Sequence, residues 1–139
     1  MRIITVINAK GGCGKSTLAM NLAAALAQDG ATVLLSDMDP QAQLSEWLHA
    51  GDGLGWQGTI VAALLGKARL RDVIQPTAYE NLSFVASSVA LEELGRDLVT
   101  QDGYHTLYGE VIDQLPATLF DYMLIDAPNQ ISPIMENTI

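Results

Sequence analysis

A glycine-rich bend between an apolar run and a helical stripe constrains this chain more than any other feature. Ile3-Ile4-Thr5-Val6-Ile7 reads as a buried strand. Leu18, Leu22, Ala25 and Leu26 then recur at helical spacing and predict an inward face for a helix over about Lys15 to Gln28. Between them lies Asn8-Ala9-Lys10-Gly11-Gly12-Cys13-Gly14-Lys15-Ser16-Thr17. Glycines let successive backbone N–H groups converge on an anion, and a helix N-terminus adds partial positive charge there. A strand, such a bend ending Gly-Lys-Ser, and then a helix is the context of a phosphate loop. In that context Lys15 reaches the β- and γ-phosphates of a nucleotide, and the Ser16 hydroxyl coordinates Mg²⁺.

The strict phosphate-loop pattern asks for glycine five residues before Gly14, where this chain has Ala9. It carries instead a second lysine, Lys10, inside the loop. Lys10-Gly11-Gly12-Cys13-Gly14-Lys15-Ser16-Thr17 resembles the deviant Walker A motif of the ParA/MinD family of ATPases. The resemblance implies that residues 10–17 hold ATP. It also implies that Lys10 reaches across a dimer interface to the partner's nucleotide. Cys13 stands where the family has a small aliphatic residue. With no general base identifiable beside it, it is expected to be a small packing residue.

Two further strand ends carry carboxylates. Thr32-Val33-Leu34-Leu35-Ser36 runs into Asp37-Met38-Asp39-Pro40-Gln41, and Phe120-Asp121-Tyr122-Met123-Leu124-Ile125 runs into Asp126-Ala127-Pro128-Asn129. Near-continuous apolar strands alternating with helices are the mark of a parallel sheet covered on both faces. Ligands bind such sheets at the carboxyl ends of the strands. Carboxylates beside a triphosphate repel it unless a metal or water intervenes, so water activation and metal arrangement are the expected chemistry. By resemblance, Asp39 orients the attacking water and Asp37 lies near the Mg²⁺ water shell. Asp126 fits the Walker B pattern, an apolar strand ending in a carboxylate that holds a water on Mg²⁺. The family reads Asp-x-Pro-Pro there, and Asn129 replaces the second proline.

The rest of the chain supports an α/β domain over residues 1–139. Gly30 is the expected left-handed cap of the first helix. A helix is expected over Gln41 to His49, with Leu44 and Leu48 inward. Gly51 to Gly55 reads as a loop, and Trp47 and Trp56 beside it as local packing. A short helix is expected over Thr59 to Leu65, and Leu70, Val73 and Ile74 continue a helical stripe before Pro76. Asn81 to Ala86 reads as a strand. Ser87-Ser88 is expected to cap a helix carrying Leu91, Leu94 and Leu98. Asp102-Gly103 opens a helix with Leu107, Tyr108, Val111, Ile112 and Leu115 inward. This middle region also resembles the ParA branch. His49 and His105 lack partners at ligand spacing and read as surface or capping residues.

Composition narrows the function. The formal charge of −9 argues against a broad nucleic-acid-binding surface, and no Lys or Arg follows Arg96. The one basic cluster outside the loop, Lys67, Arg69 and Arg71, reads as a solvated helix edge. A single cysteine excludes an internal disulfide and fits a reducing, cytoplasmic compartment. It also excludes a cluster ligated by this chain's cysteines, as in the nitrogenase iron protein that shares the deviant loop. No run is long and apolar enough to span a membrane.

The resemblance implies a P-loop NTPase with a parallel twisted sheet and helices on both faces. It implies an ATPase that dimerises with ATP and Mg²⁺, turns over slowly, and partitions or positions DNA or other cargo. A ParB-like or cargo adaptor would be its partner. Contact with non-specific DNA, hence nucleoid association, would come through regions beyond this chain. Ser132 to Ile139 reads as the opening turns of a helix, and family members continue well past it. The chain is therefore expected to be the N-terminal portion of that domain, incomplete at its C-terminus. Three alternatives stand beside this reading. They are a MinD-like regulator of division or flagellar placement, a non-catalytic phosphate-binding interaction module, and a metabolic ATP-dependent ligase or reductase.

Overall fold

The computed structural model describes residues 1–8, 10–49, 58–100 and 103–139. The expectations for Ala9, Gly51 to Gly55, Trp56 and Asp102, and for the side chain of His49, lie outside the described residues. In chain order the elements are β1 (Arg2–Val6), α1 (Lys15–Gln28), β2 (Val33–Asp37), α2 (Gln43–His49), α3 (Ile60–Leu64) and α4 (Leu70–Val73). There follow β3 (Ile74–Pro76), β4 (Leu82–Val85), α5 (Ala90–Leu98), a 3₁₀ turn (Tyr104–Thr106), α6 (Leu107–Ile112), β5 (Tyr122–Asp126) and α7 (Pro133–Glu136).

The strands form one sheet in the order β1-β5-β2-β4-β3. β1, β5, β2 and β4 run parallel, as an α/β fold requires. β3 is antiparallel to β4, which the helical stripe through Ile74 did not anticipate. Pro76 accounts for the difference. It biases Gln75 toward extended backbone and cannot donate to a ladder, so this segment leaves the helix and becomes an edge strand.

Alternate residues of each strand feed two cores, because successive side chains point to opposite faces. Leu34, Val85, Met123 and Ile125 pack with Leu91, Leu94, Leu98, Tyr108 and Ile112 on one face. Val33, Leu35, Phe84 and Leu124 pack with α1 and with Leu44 of α2 on the other. The inward face of α1 is not the expected leucine stripe. Ala19, Ala23 and Ala27 are the buried residues, and Leu18 is 57% exposed. Alanines at i, i+4 and i+8 let the helix lie close on the sheet, with Leu22 and Leu26 half-buried at its flanks. β1 also departs from expectation. It pairs with β5 alone among the described strands, which leaves Ile3 51% exposed.

The ends of several helices follow the sequence. Gly30 has φ 90°, and its N–H donates to the carbonyl of Ala27. The Ser132 hydroxyl accepts from the N–H of Met135, with Pro133 at the first helical position. The Ser87-Ser88 cap is corrected. Neither hydroxyl caps α5, whose N-cap is Val89 without a side-chain bond, and Ser87 is committed elsewhere.

Ala42, between β2 and α2, has φ 52°. A Cβ is strained in this left-handed region, at a cost of about 1 kcal/mol. Ala42→Gly removes that strain while loosening the unfolded chain, so a net gain of about 0.5 kcal/mol is expected. Urea unfolding checks it: the midpoint should rise with an unchanged slope, and a fall would contradict the strain.

Candidate active site

The sheet order brings the sequence's separate motifs to one edge. β5 lies between β1 and β2, so Asp126 sits in register with Val6 on one side and Asp37 on the other. Val6 leads directly into the glycine loop. The loop turns through Gly12 at φ 70° and Gly14 at φ 86°, and Gly14 is the N-cap of α1. Both values favour glycine, which is why the bend can present its backbone to a ligand. The side chain of Asn8 accepts from the Lys10 N–H at 2.9 Å and fixes the entry to the loop.

A cavity of about 330 Å³ opens over the loop. Gly12 to Thr17 form one wall, and Asp39, Gln41, Gln43, Trp47 and Asn129 complete it. Lys15 and Ser16 are half-buried there. Lys10 is exposed and is not part of the cavity wall. Neither lysine makes an ion pair among the described residues. Cys13 corrects an expectation: it is exposed on the cavity wall, outside both apolar cores, and packs no core.

The three carboxylates differ sharply. Asp126 is 1% exposed, and among the described residues neither of its oxygens accepts a well-formed hydrogen bond. Burial pushes its pKa up, while the nearby Ser16 hydroxyl and Lys15 ammonium pull it back. A buried carboxylate with two unpartnered oxygens is a group that lacks its ligand. Asp126 with the Ser16 hydroxyl is the hard oxygen set that suits Mg²⁺, which takes one or two protein ligands and fills its shell with phosphate and water. Among the described residues, no cluster of three or more His, Cys, Asp or Glu gathers as a metal site.

Asp37, in register beside Asp126, is engaged by the protein itself. It is buried, and its Oδ1 accepts from the Asp39 N–H at 3.0 Å. Its Oδ2 accepts from the Ser45 N–H at 2.9 Å and the Ser45 hydroxyl at 2.7 Å. Protein donors engage both oxygens, so the carboxylate holds the backbone at Asp39 and at Ser45. Asp39 is half-buried on the cavity wall, and its Oδ1 accepts from the Gln41 N–H at 2.9 Å. Its Oδ2 accepts no hydrogen bond from the described residues and can accept one from water.

A family model described as an AAA domain matches residues 1–139, the whole chain. Over 143 aligned residues the chain is 36% identical to the chromosome partitioning protein ParA of Myxococcus xanthus, covering 99% of this chain and 48% of that protein. The chain belongs to the ParA/MinD-type AAA-domain family. It spans about half the length of the curated relatives it matches. Two solved structures superpose closely on this AAA-domain chain. McdA of Cyanothece, as an aspartate-to-alanine variant in complex with ATP, gives a TM-score of 0.90 at 25% identity, over 100% of this chain and 52% of that one. Cobyrinic acid a,c-diamide synthase of Mycobacterium smegmatis, with a bound ATP analog and magnesium, gives 0.90 at 27%, over 99% and 55%.

Several residues of this AAA-domain site carried no sequence signal. Asn129 stood out only as a missing proline, yet it lines the cavity and its amide lies 3.5 Å from where a Cβ on Gly11 would be. Trp47 read as packing and is 48% exposed on the cavity wall. His105 is exposed beside Tyr104, and Lys67, Arg69 and Arg71 are exposed, with Arg69 paired to Asp72 at 2.9 Å.

Burial lifts the Asp37 pKa from 3.8 to about 7, overriding the donors that favour its charge. Between those values the folded chain keeps a proton that the unfolded chain has released. Stability of the nucleotide-free chain is therefore expected to fall as pH rises from about 4 to about 7. Asp126 is shifted the same way, whereas Asp72 and Asp121 are held low and titrate below this window. Denaturant midpoints at pH 5 and pH 7.5 check it. Asp37→Asn should show a shallower dependence, and a wild-type midpoint that rises across the window would refute it.

Proposed function

We propose that the chain carries the phosphate-handling core of a ParA-like ATPase that partitions or positions DNA or other cargo. The observation that carries this reading is Asp126. Its two buried oxygens, without a well-formed hydrogen bond from the described residues, lie beside the Lys15–Ser16 end of a glycine loop, and Asp39 lines the same cavity as that loop.

ATP is the substrate. The loop N–H groups and the Lys15 ammonium neutralise its β- and γ-phosphates. Ser16 and Asp126 would hold Mg²⁺, which supplies charge neutralisation on the phosphates. The free oxygen of Asp39 accepts a hydrogen bond from the attacking water and orients it. Lys10, outside the cavity wall, serves the triphosphate of a second copy. ATP therefore favours the dimer, and slow hydrolysis releases it, which makes the cycle a timer. A ParB-like or cargo adaptor sets the pace in the cytoplasm. Among the described residues no helix is long and apolar enough to cross a membrane.

Titration of labelled ATP against the chain, with and without Mg²⁺, tests the reading. Saturable binding that needs Mg²⁺ and favours ATP over AMP is the expected result. Absence of binding would reduce the chain to an interaction module.

A further inference from the structure

The backbone of Asp39 closes a ring of buried and part-buried hydrogen bonds. Its N–H donates to Asp37 Oδ1 at 3.0 Å. Asp37 Oδ2 accepts from the Ser45 hydroxyl at 2.7 Å. That hydroxyl oxygen accepts from the Ser87 N–H at 2.9 Å. The Ser87 hydroxyl donates to the Asp39 carbonyl at 2.6 Å and returns the ring to its start. Asp37, Ser45 and Ser87 are each no more than 5% exposed. The ring therefore joins the end of β2, the first turn of α2 and the segment after β4.

We propose that Ser45, through the Asp37 carboxylate, and Ser87 directly are positioning residues for hydrolysis, clamping Asp39 at its N–H and its C=O so that its carboxylate holds one orientation over the cavity. Two features make such a clamp necessary. The segment runs through Pro40 and then Ala42 in the left-handed region, so it stores strain that would relax if released. The carboxylate itself is tied at Oδ1 alone, through Gln41 of the same turn. The Ala42 N–H also donates to the Asp39 carbonyl at 2.9 Å, but it belongs to that turn and would move with it. Ser87 is the one contact in the set that comes from a neighbouring strand's end. Small displacements of a group that orients a nucleophile are costly, about 100-fold in rate for 1 Å.

The inference rests on reading Asp39 as the water-holding carboxylate, so its test has two independent readouts. The first is amide hydrogen exchange of the nucleotide-free chain. Ser45→Ala and Ser87→Ala should each speed exchange at the Asp39 N–H about 10-fold while β1 and β5 amides keep wild-type rates. The second is steady-state hydrolysis. Each alanine variant should lower kcat about 10-fold with KM for ATP within about twofold, because the phosphate loop is untouched. Ser45→Thr and Ser87→Thr, which keep the hydroxyl, should recover most of both losses.

Wild-type exchange at Asp39 in both alanine variants would overturn the clamp. So would kcat, KM and melting temperature failing together with no recovery by threonine, since that is a folding role. A wild-type chain that turns over no ATP would sink the functional reading, and the exchange readout would still decide the ring.

Discussion

Lys15→Ala is expected to abolish nucleotide binding, weakening ATP by more than about 100-fold, or about 3 kcal/mol. Lys15 is half-buried on the cavity wall and close enough to Asp126 to pull on its titration. Among the described residues that line the cavity it is the one cationic side chain. Removing it leaves a triphosphate beside Asp39 and Asp126 with the loop N–H groups and Mg²⁺ but no side-chain cation of this chain's cavity wall in compensation. Like charges in a partly desolvated site repel strongly, so the loss exceeds that of a surface contact. The fold should survive, because Lys15 makes no ion pair among the described residues and alanine suits a helix start. Labelled-ATP titration beside a thermal melt checks both halves. A dissociation constant within threefold of wild type would remove the phosphate-loop assignment.

Lys10→Ala should behave in the opposite way. Binding is expected to stay within about twofold, while hydrolysis falls about 100-fold, the scale of losing one charge-stabilising donor in a transition state. The separation follows from position. Lys10 is exposed and stands outside the cavity wall, so it contributes little to its own chain's nucleotide. Its backbone N–H, not its side chain, is what Asn8 fixes, so alanine keeps the loop's shape. Phosphate release measured across protein concentrations is the test. The wild-type rate per chain should rise steeply with concentration as dimers form, and the variant's should stay flat. An unchanged rate in Lys10→Ala would leave the second lysine without a role.

Much of the site was legible because its parts are local. The phosphate loop is a contiguous run, and Asp37, Asp39 and Asp126 each follow an apolar strand, so each was placed at a strand's carboxyl end without knowing its neighbours. What that placement could not supply was the division of labour. Asp37 and Asp126 look alike in sequence, two carboxylates closing two strands. One has both oxygens engaged by donors from Asp39 and Ser45, and the other accepts no well-formed hydrogen bond from the described residues. The helical stripe of α1 was misread for a related reason. Periodicity weighs leucine over alanine, but close approach of helix to sheet selects the smaller side chain.

By itself, then, the amino-acid sequence determined the strand–loop–helix unit, the alternation that makes an α/β sheet, and which residue types stand ready at the strand ends. Those follow from dihedral preference and the spacing of apolar residues, which act over a few positions. Only the tertiary structure decided that β5 inserts between β1 and β2, that β3 turns back as an edge, and that Ser87 reaches Asp39 across 48 positions of chain. Such pairings are settled by which distant surfaces bury the most apolar area while leaving the fewest polar groups unpaired, and that balance belongs to the folded chain as a whole.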